Sequence, residues 1–186
     1  MKKALRKTGL EKRNRMTKSE VETLSKQIIK VINSKFNLDK YQIIGFYLPL
    51  GNEVDLRPLI KELIELGKTI VLPKVLDKHT MEFFPIKDLN DHHIGRFNVL
   101  EPNSNKKIPK NEIEIIFVPG IYFSYQNYRI GFGAGFYDRY FAQYHNKKVG
   151  VCYAFQYVPN IPYNDYDIPM DQIITENPLH LYHDED

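Results

Sequence analysis

The chain contains no tryptophan and a single cysteine among its 186 residues. One thiol cannot close an internal disulfide, and Cys152 lies in the apolar run Val149-Gly150-Val151-Cys152-Tyr153 with no cation beside it in sequence. That setting describes a buried, inert thiol rather than a nucleophile. Long apolar runs are also missing: no stretch approaches a membrane span, and the basic start Met1-Lys2-Lys3-Ala4-Leu5-Arg6 leads into no apolar segment of a signal peptide. A cytoplasmic, reducing setting without a membrane partner is therefore expected. Charge of one sign is not in excess, because 26 basic residues against 23 acidic ones leave only +3. This is too little to imply a nucleic-acid partner. Repeats, low-complexity tracts and a Ser-His or Cys-His arrangement suited to nucleophilic catalysis are absent as well.

What is present is an ordinary globular composition, 42% hydrophobic and 26% charged, on a chain long enough for one full core. A single domain over residues 1–186 is expected. Thr17-Lys18-Ser19-Glu20 has the pattern of a capping box, and Val21, Leu24, Ile28, Val31 and Ile32 behind it share one helical face. Residues 43–48 form a candidate strand, followed by a helix with Asp55 as N-cap and Gly67 just past its end. Further strands are predicted at 69–74, 81–84, 113–118, 148–154 and 172–175, with a long surface loop between about 92 and 110. Short apolar strands alternating with amphipathic helices predict an α/β domain with a largely parallel central sheet flanked by helices. Ligands of such sheets sit beyond the carboxyl ends of the strands, where residues 48–55 and the stretch after 118 fall.

That second stretch is Tyr128-Arg129-Ile130-Gly131-Phe132-Gly133-Ala134-Gly135-Phe136-Tyr137-Asp138-Arg139. Glycines at alternate positions leave little bulk on one side, so backbone N–H groups can converge on an anion such as a polyphosphate. A helix predicted over 136–144 adds its N-terminal dipole. Asp138, in its first turn, would repel phosphate unless a hard divalent cation such as Mg²⁺ lay between them. Arg129 and Arg139 flank the loop and can neutralise the remaining charge. The run lacks the Gly-Lys-Ser/Thr end of a P-loop and the spacing of a dinucleotide fingerprint, and bare glycines equally suit a tight strand-to-helix turn. Lys2 and Arg6 share a helix face, either as a solvated terminal helix or as cations folded over a phosphate chain. Glu53 suits a helix-start partner or a ligand contact, and Asp167 and Asp171 suit solvated loop acids.

Phe117-Val118-Pro119-Gly120 followed by Asn127 to Arg139 resembles the motif of the 5-formyltetrahydrofolate cyclo-ligase family, also called methenyltetrahydrofolate synthetases. The resemblance takes in Lys2 and Arg6, the Asn52-Glu53-Val54 turn, Pro73-Lys74 and the segment from Asp167 to Asp171. It implies ATP, Mg²⁺ and a reduced folate as ligands. Matched position by position, it implies that Lys2, Lys3, Ala4, Leu5 and Arg6 hold ATP together with Arg129, Ile130, Gly131, Phe132, Gly133, Ala134, Gly135, Phe136 and Tyr137. Leu48 and Glu53 would contact the folate, with Phe132 to Phe136 between the two ligands, and Asp138 and Asp167 would be associated with Mg²⁺. Arg129 would stabilise the transferred phosphoryl group, with Lys74 as an extra phosphate contact or a plain strand-end lysine. Ala134, Phe136 and Ile130 replace commoner family residues, and a left-handed backbone at Ala134 would be strained.

Two other classes fit parts of the pattern. A phosphosugar isomerase on an α/β sheet would bind phosphate without splitting ATP. A nucleic-acid-binding module would use the basic N-terminus and show steep salt dependence.

Overall fold

In the computed structural model, which describes residues 1–178, the capping box at Thr17 closes in both directions. The Glu20 amide donates to Thr17 Oγ1 at 3.1 Å, and the Thr17 amide donates to Glu20 Oε1 at 3.2 Å. Residues 179–186, the end of the expected domain, lie outside the described residues. The box opens helix α2 (Lys18–Lys35), which follows helix α1 (Lys2–Asn14). Then come β1 (Ile43–Gly45), α3 (Arg57–Glu65), β2 (Thr69–Val75), β3 (Met81–Ile86), β4 (His92–Ile94), β5 (Leu100–Pro102) and β6 (Ile115–Val118). The chain continues through β7 (Tyr122–Ser124), β8 (Arg129–Ile130), α4 (Phe136–Phe141), β9 (Lys147–Val151), β10 (Tyr157–Val158) and β11 (Gln172–Ile174).

Six strands pair in the order β11-β9-β6-β1-β2-β3, all parallel except the antiparallel β2–β3 pair. This is the largely parallel α/β sheet the sequence predicts. Alternation sorts its side chains to two faces. Ile44, Ile70, Ile115 and Phe117 meet Ile28 and Ile32 of α2 and Leu59 and Ile60 of α3. Val71, Ile116 and Val118 face the other way, toward Phe123 of β7 and Tyr140 and Phe141 of α4. Each such large apolar side chain contributes about 1.5–3 kcal/mol when fully buried. Between β1 and β6 the winding reverses, since the chain runs from β1 to β2 and β3 on one side and from β6 to β9 and β11 on the other. The crevice at the carboxyl ends of these two strands is the natural ligand position of such a sheet.

Several expected boundaries differ. The first strand stops at Gly45; the Phe46 amide still donates to the Val71 carbonyl at 3.0 Å, and Tyr47 and Leu48 stay buried on the way to the Pro49 turn. Asp55 does not cap α3: Leu56 takes the N-cap position, and Asp55 Oδ1 accepts from the Arg57 amide at 3.0 Å. Gly67 does sit just past the helix, at φ 83°, with the Lys68 amide bonded to the Leu63 carbonyl at 3.0 Å. The expected loop at 92–110 contains the hairpin β4–β5, whose turn is made by Phe97 and Asn98 at φ 59° and 57° rather than by glycine. Helix α4 ends at Phe141 rather than Tyr144, and β6 and β9 span 115–118 and 147–151. A second sheet, β10-β7-β8, was not predicted, because strands of two or three residues carry too little periodicity to show. Among the described residues, no helix is long and apolar enough to cross a membrane.

Candidate functional site

The turn Pro119-Gly120, directly after β6, gathers two guanidinium groups. Arg129 Nη1 donates to the Pro119 carbonyl at 3.0 Å, and Arg13 Nη1 reaches the Gly120 carbonyl at 3.5 Å. Gln156 Nε2 donates to the carbonyls of Gly120 and Ile121 at 3.0 and 2.9 Å, which fixes the turn from below. Arg129 stands on β8, paired antiparallel with β7 opposite Phe123. Its guanidinium lies over the Tyr137 ring, 4.7 Å from the centroid. Burial lowers the pKa of Arg129, and the charges of Asp138, Tyr137, Glu53 and Asp167 act against that effect. One cation is thus within electrostatic reach of carboxylates from three separate segments.

The glycine-rich segment folds back on its own arginines. Gly133 and Gly135 take left-handed φ of 103° and 74°, which Cβ-bearing residues disfavour, whereas Ala134 between them is not left-handed and carries no such strain. A Cβ at Gly131 would come within 2.6 Å of Arg129 Nη1, so the guanidinium is tucked directly under the loop. Arg139 Nη2 donates to the Ala134 carbonyl at 2.7 Å and its Nε to the His79 carbonyl at 2.9 Å. Arg139 therefore shapes the loop and ties it to the β2–β3 turn instead of standing free for an anion. Phe132 is 57% exposed at the loop tip, while Phe136 is half-buried near Phe97, with ring centroids 6.4 Å apart.

Helix α1 is docked on this loop and is not a solvated terminal helix. A Cβ at Gly9 would lie 2.5 Å from Ile121 Cγ2 and 2.8 Å from Tyr122 Cε2, and Leu5 and Leu10 pack on the same cluster. Arg6 Nε donates to the Gly131 carbonyl at 2.8 Å. Lys2 Nζ meets Asp167 Oδ2 at 2.6 Å, so one phosphate candidate rests on one metal candidate. Asp138 Oδ1 accepts from the Ile168 amide at 3.0 Å, which brings Asp138 and Asp167 into one corner. Among the described residues there is no cluster of three or more His, Cys, Asp or Glu able to hold a metal by itself. Mg²⁺ is usually held by one or two carboxylates completed by phosphate oxygens, and in this corner those carboxylates would be Asp138 and Asp167.

On the β1 side, Glu53 is 6% exposed and its Oε1 accepts from the Leu50 amide at 2.7 Å. It closes its own turn and takes no part in starting α3. Burial raises its pKa, opposed first by the charge of Arg13, then by the Leu50 amide and by Arg129. Leu48 lines a cleft of about 510 Å³ with Asp55, Arg57, Leu89, His92 and Leu100 among its walls. Lys74 stands apart: Nζ donates to the Ser104 carbonyl at 2.7 Å and lies 4.4 Å from the Phe84 ring centroid. Among the described residues, no hydrogen bond, ion pair or ring contact joins Lys74 to the glycine-rich loop. The sequence reading missed Arg13, Gln156 and Tyr153, whose hydroxyl donates to the Asn52 carbonyl at 2.9 Å. Only Arg13 left a trace, through the stripe Leu5, Gly9, Arg13 at four-residue spacing.

The profile of the 5-formyltetrahydrofolate cyclo-ligase family matches residues 1–176. A 5-formyltetrahydrofolate cyclo-ligase of Haemophilus influenzae is 31% identical over 139 residues, 71% of this chain and 74% of that protein. The protein of that name from Mycoplasma genitalium is 29% identical over 177 residues, 93% of this chain and 96% of its own length. Among solved structures, the NMR structure of Aquifex aeolicus 5,10-methenyltetrahydrofolate synthetase superposes with a TM-score of 0.83 at 34% identity, covering 94% of this chain and 89% of that one. The Mycoplasma pneumoniae 5,10-methenyltetrahydrofolate synthetase gives 0.79 at 27% identity, over 95% and 99%. With the switch-point crevice, the glycine-rich loop and the docked N-terminal helix in place along the matched length, the chain belongs to the 5-formyltetrahydrofolate cyclo-ligase family and is an enzyme of that family.

Proposed function

We propose that the chain catalyses the ATP-dependent cyclisation of 5-formyltetrahydrofolate to 5,10-methenyltetrahydrofolate, releasing ADP and phosphate. The position of Arg129 carries the proposal, since this buried cation is within electrostatic reach of both Glu53 and the Asp138–Asp167 corner. The folate would lie against Leu48 with its amino-pyrimidinone edge donating to Glu53. ATP would lie along residues 129–137, under Lys2 to Arg6 of α1. Phe132 to Phe136 would then separate the two ligands.

In this arrangement the formyl oxygen attacks the terminal phosphorus as the bond to ADP breaks, giving a phosphorylated imidate. The second folate nitrogen then closes the ring, loses its proton, and the C–O bond breaks to release phosphate. No protein nucleophile is required; what the chain contributes is alignment and cationic charge around the transferred group. Mg²⁺, held by Asp138 and Asp167, would supply neutralisation of the phosphate oxygens. Arg129 meets the charge that develops in transfer, and Lys2 must exchange Asp167 for phosphate as ATP enters. Lys74 would act as an outer phosphate contact only after leaving Ser104.

A melting-temperature matrix with ATP, Mg²⁺ and 5-formyltetrahydrofolate, singly and together, combined with a coupled ADP-release assay, tests the proposal. Stabilisation by Mg·ATP and by the folate, with ADP release only when both are present, is expected. Folate-independent ATP turnover, or no response to either ligand, would overturn it.

A further inference from the structure

Arg13 is 3% exposed, its Nε has no hydrogen-bond partner, and its Nη1 approaches the Gly120 carbonyl at 3.5 Å. A buried guanidinium with an orphaned donor is costly unless a charge nearby compensates it. The same residue's carbonyl accepts from Asn52 Nδ2 at 2.8 Å, and Met16 accepts the second bond of that amide at 3.0 Å. The turn that ends in Glu53 is thereby fastened to the end of α1. Arg13 and Arg129 hang on the consecutive carbonyls Gly120 and Pro119, which hold both guanidiniums at the switch point.

We infer that Arg13 is a positioning residue for the folate site, an unpaired countercharge that keeps the buried Glu53 carboxylate anionic for the donors of the pterin edge. The inference rests on the proposed contact between Glu53 and folate. The groups that face Glu53 from the surrounding elements are Arg13 of α1, Arg129 of β8, Tyr47 after β1 and Tyr137 of α4. Burial holds both tyrosines neutral, so the desolvation of the carboxylate is opposed first by the charge of Arg13, then by the Leu50 amide, and last by Arg129.

The test is the pH profile of kcat/KM for 5-formyltetrahydrofolate at saturating Mg·ATP in Arg13→Met and Arg13→Lys. Loss of the countercharge should move the acid limb upward by about one pH unit in Arg13→Met. Arg13→Lys, which keeps the charge, should leave the limb in place. An unmoved limb in Arg13→Met, or equal movement in both variants, would overturn the inference. Should Arg13→Met fail to fold, the double variant with Glu53→Gln decides. Recovery of a cooperative melt in the double variant supports the charge pairing, and failure of both when Glu53→Gln alone folds sinks it. Unchanged folate kinetics in Glu53→Gln would instead remove the proposed folate contact itself, a separate failure.

Discussion

Glu53 combines a buried carboxylate, a single amide donor and two cations without direct ion pairs, and this makes its variants informative. Glu53→Gln should lower kcat/KM for 5-formyltetrahydrofolate by roughly 30- to 150-fold, the equivalent of about 2–3 kcal/mol for a lost charge-assisted pair. The KM for ATP should barely change. Stability should move the other way. Because burial raises the folded pKa above the ordinary value of 4.5, the contribution of Glu53 is fully present below that value and is lost as pH rises through the folded one. The Gln variant should therefore melt above the parent at pH 7–8, with the gap closing near pH 4; a lower melting temperature at pH 8 would contradict the burial account. Asp138→Asn keeps an oxygen for the Ile168 amide and removes one charge, so the Mg²⁺ concentration for half-maximal rate should rise while the melt is preserved. An unaltered Mg²⁺ response takes Asp138 out of the proposed metal site. Cys152 is 1% exposed and burial raises its thiol pKa well above the usual value, so it should react with a thiol reagent only after denaturation.

At the scale of elements, α1 depends on one close approach. Gly9→Val would place its Cβ where Ile121 and Tyr122 already lie, and neither atom belongs to a freely moving chain end, because both residues are buried. The overpacking should cost about 1–3 kcal/mol and lift α1 from β7. Measured KM for ATP should rise with little change in that for folate; equal losses would show that α1 serves both sites or only the fold. This docking explains which parts of the molecule were legible. The capping box, the apolar faces of α2 and α3, Gly67 and the glycine loop announce themselves through local chemistry, and the structure contains each of them. The seat of α1 does not, because it is made by a missing side chain at Gly9 meeting Ile121 and Tyr122, distant in sequence and at the start of a strand too short to show a period. The β4–β5 hairpin was hidden for a related reason, since Phe97 and Asn98 adopt the left-handed turn that glycine normally signals. Arg13 looked like one more cation in a basic helix until its burial beside Gly120 gave it a place.

For the whole molecule, the parallel sheet was readable from alternating strands and helices, and the ends of strands as a ligand position followed from it, whereas the reversal between β1 and β6 required the strand order. That reversal sets residues 48–53 on one lip of the crevice and Pro119-Gly120 with the glycine loop on the other. The two lips differ in how firmly they are held. The turn that carries Glu53 is flanked by Leu48 and Val54 of the large cluster that α2 and α3 cover, while α1 rests on the small cluster of Ile121, Tyr122, Ile130 and Ile161. Segments with few buried apolar contacts open at lower free energy, so amides of α1 should exchange with deuterium faster than those of α2, α3 and β6. If Lys2 and Arg6 close over ATP, opening of α1 must first release the nucleotide. Mg·ATP at 100 times its Kd would then add about 2.7 kcal/mol to that opening, slowing exchange at residues 6–10 by up to ~100-fold. Folate alone should protect residues near 50–56 and leave residues 6–10 as they were. Hydrogen-exchange mass spectrometry resolves both regions in one experiment, and protection of α1 by folate without nucleotide would overturn the division of the crevice into an ATP lip and a folate lip.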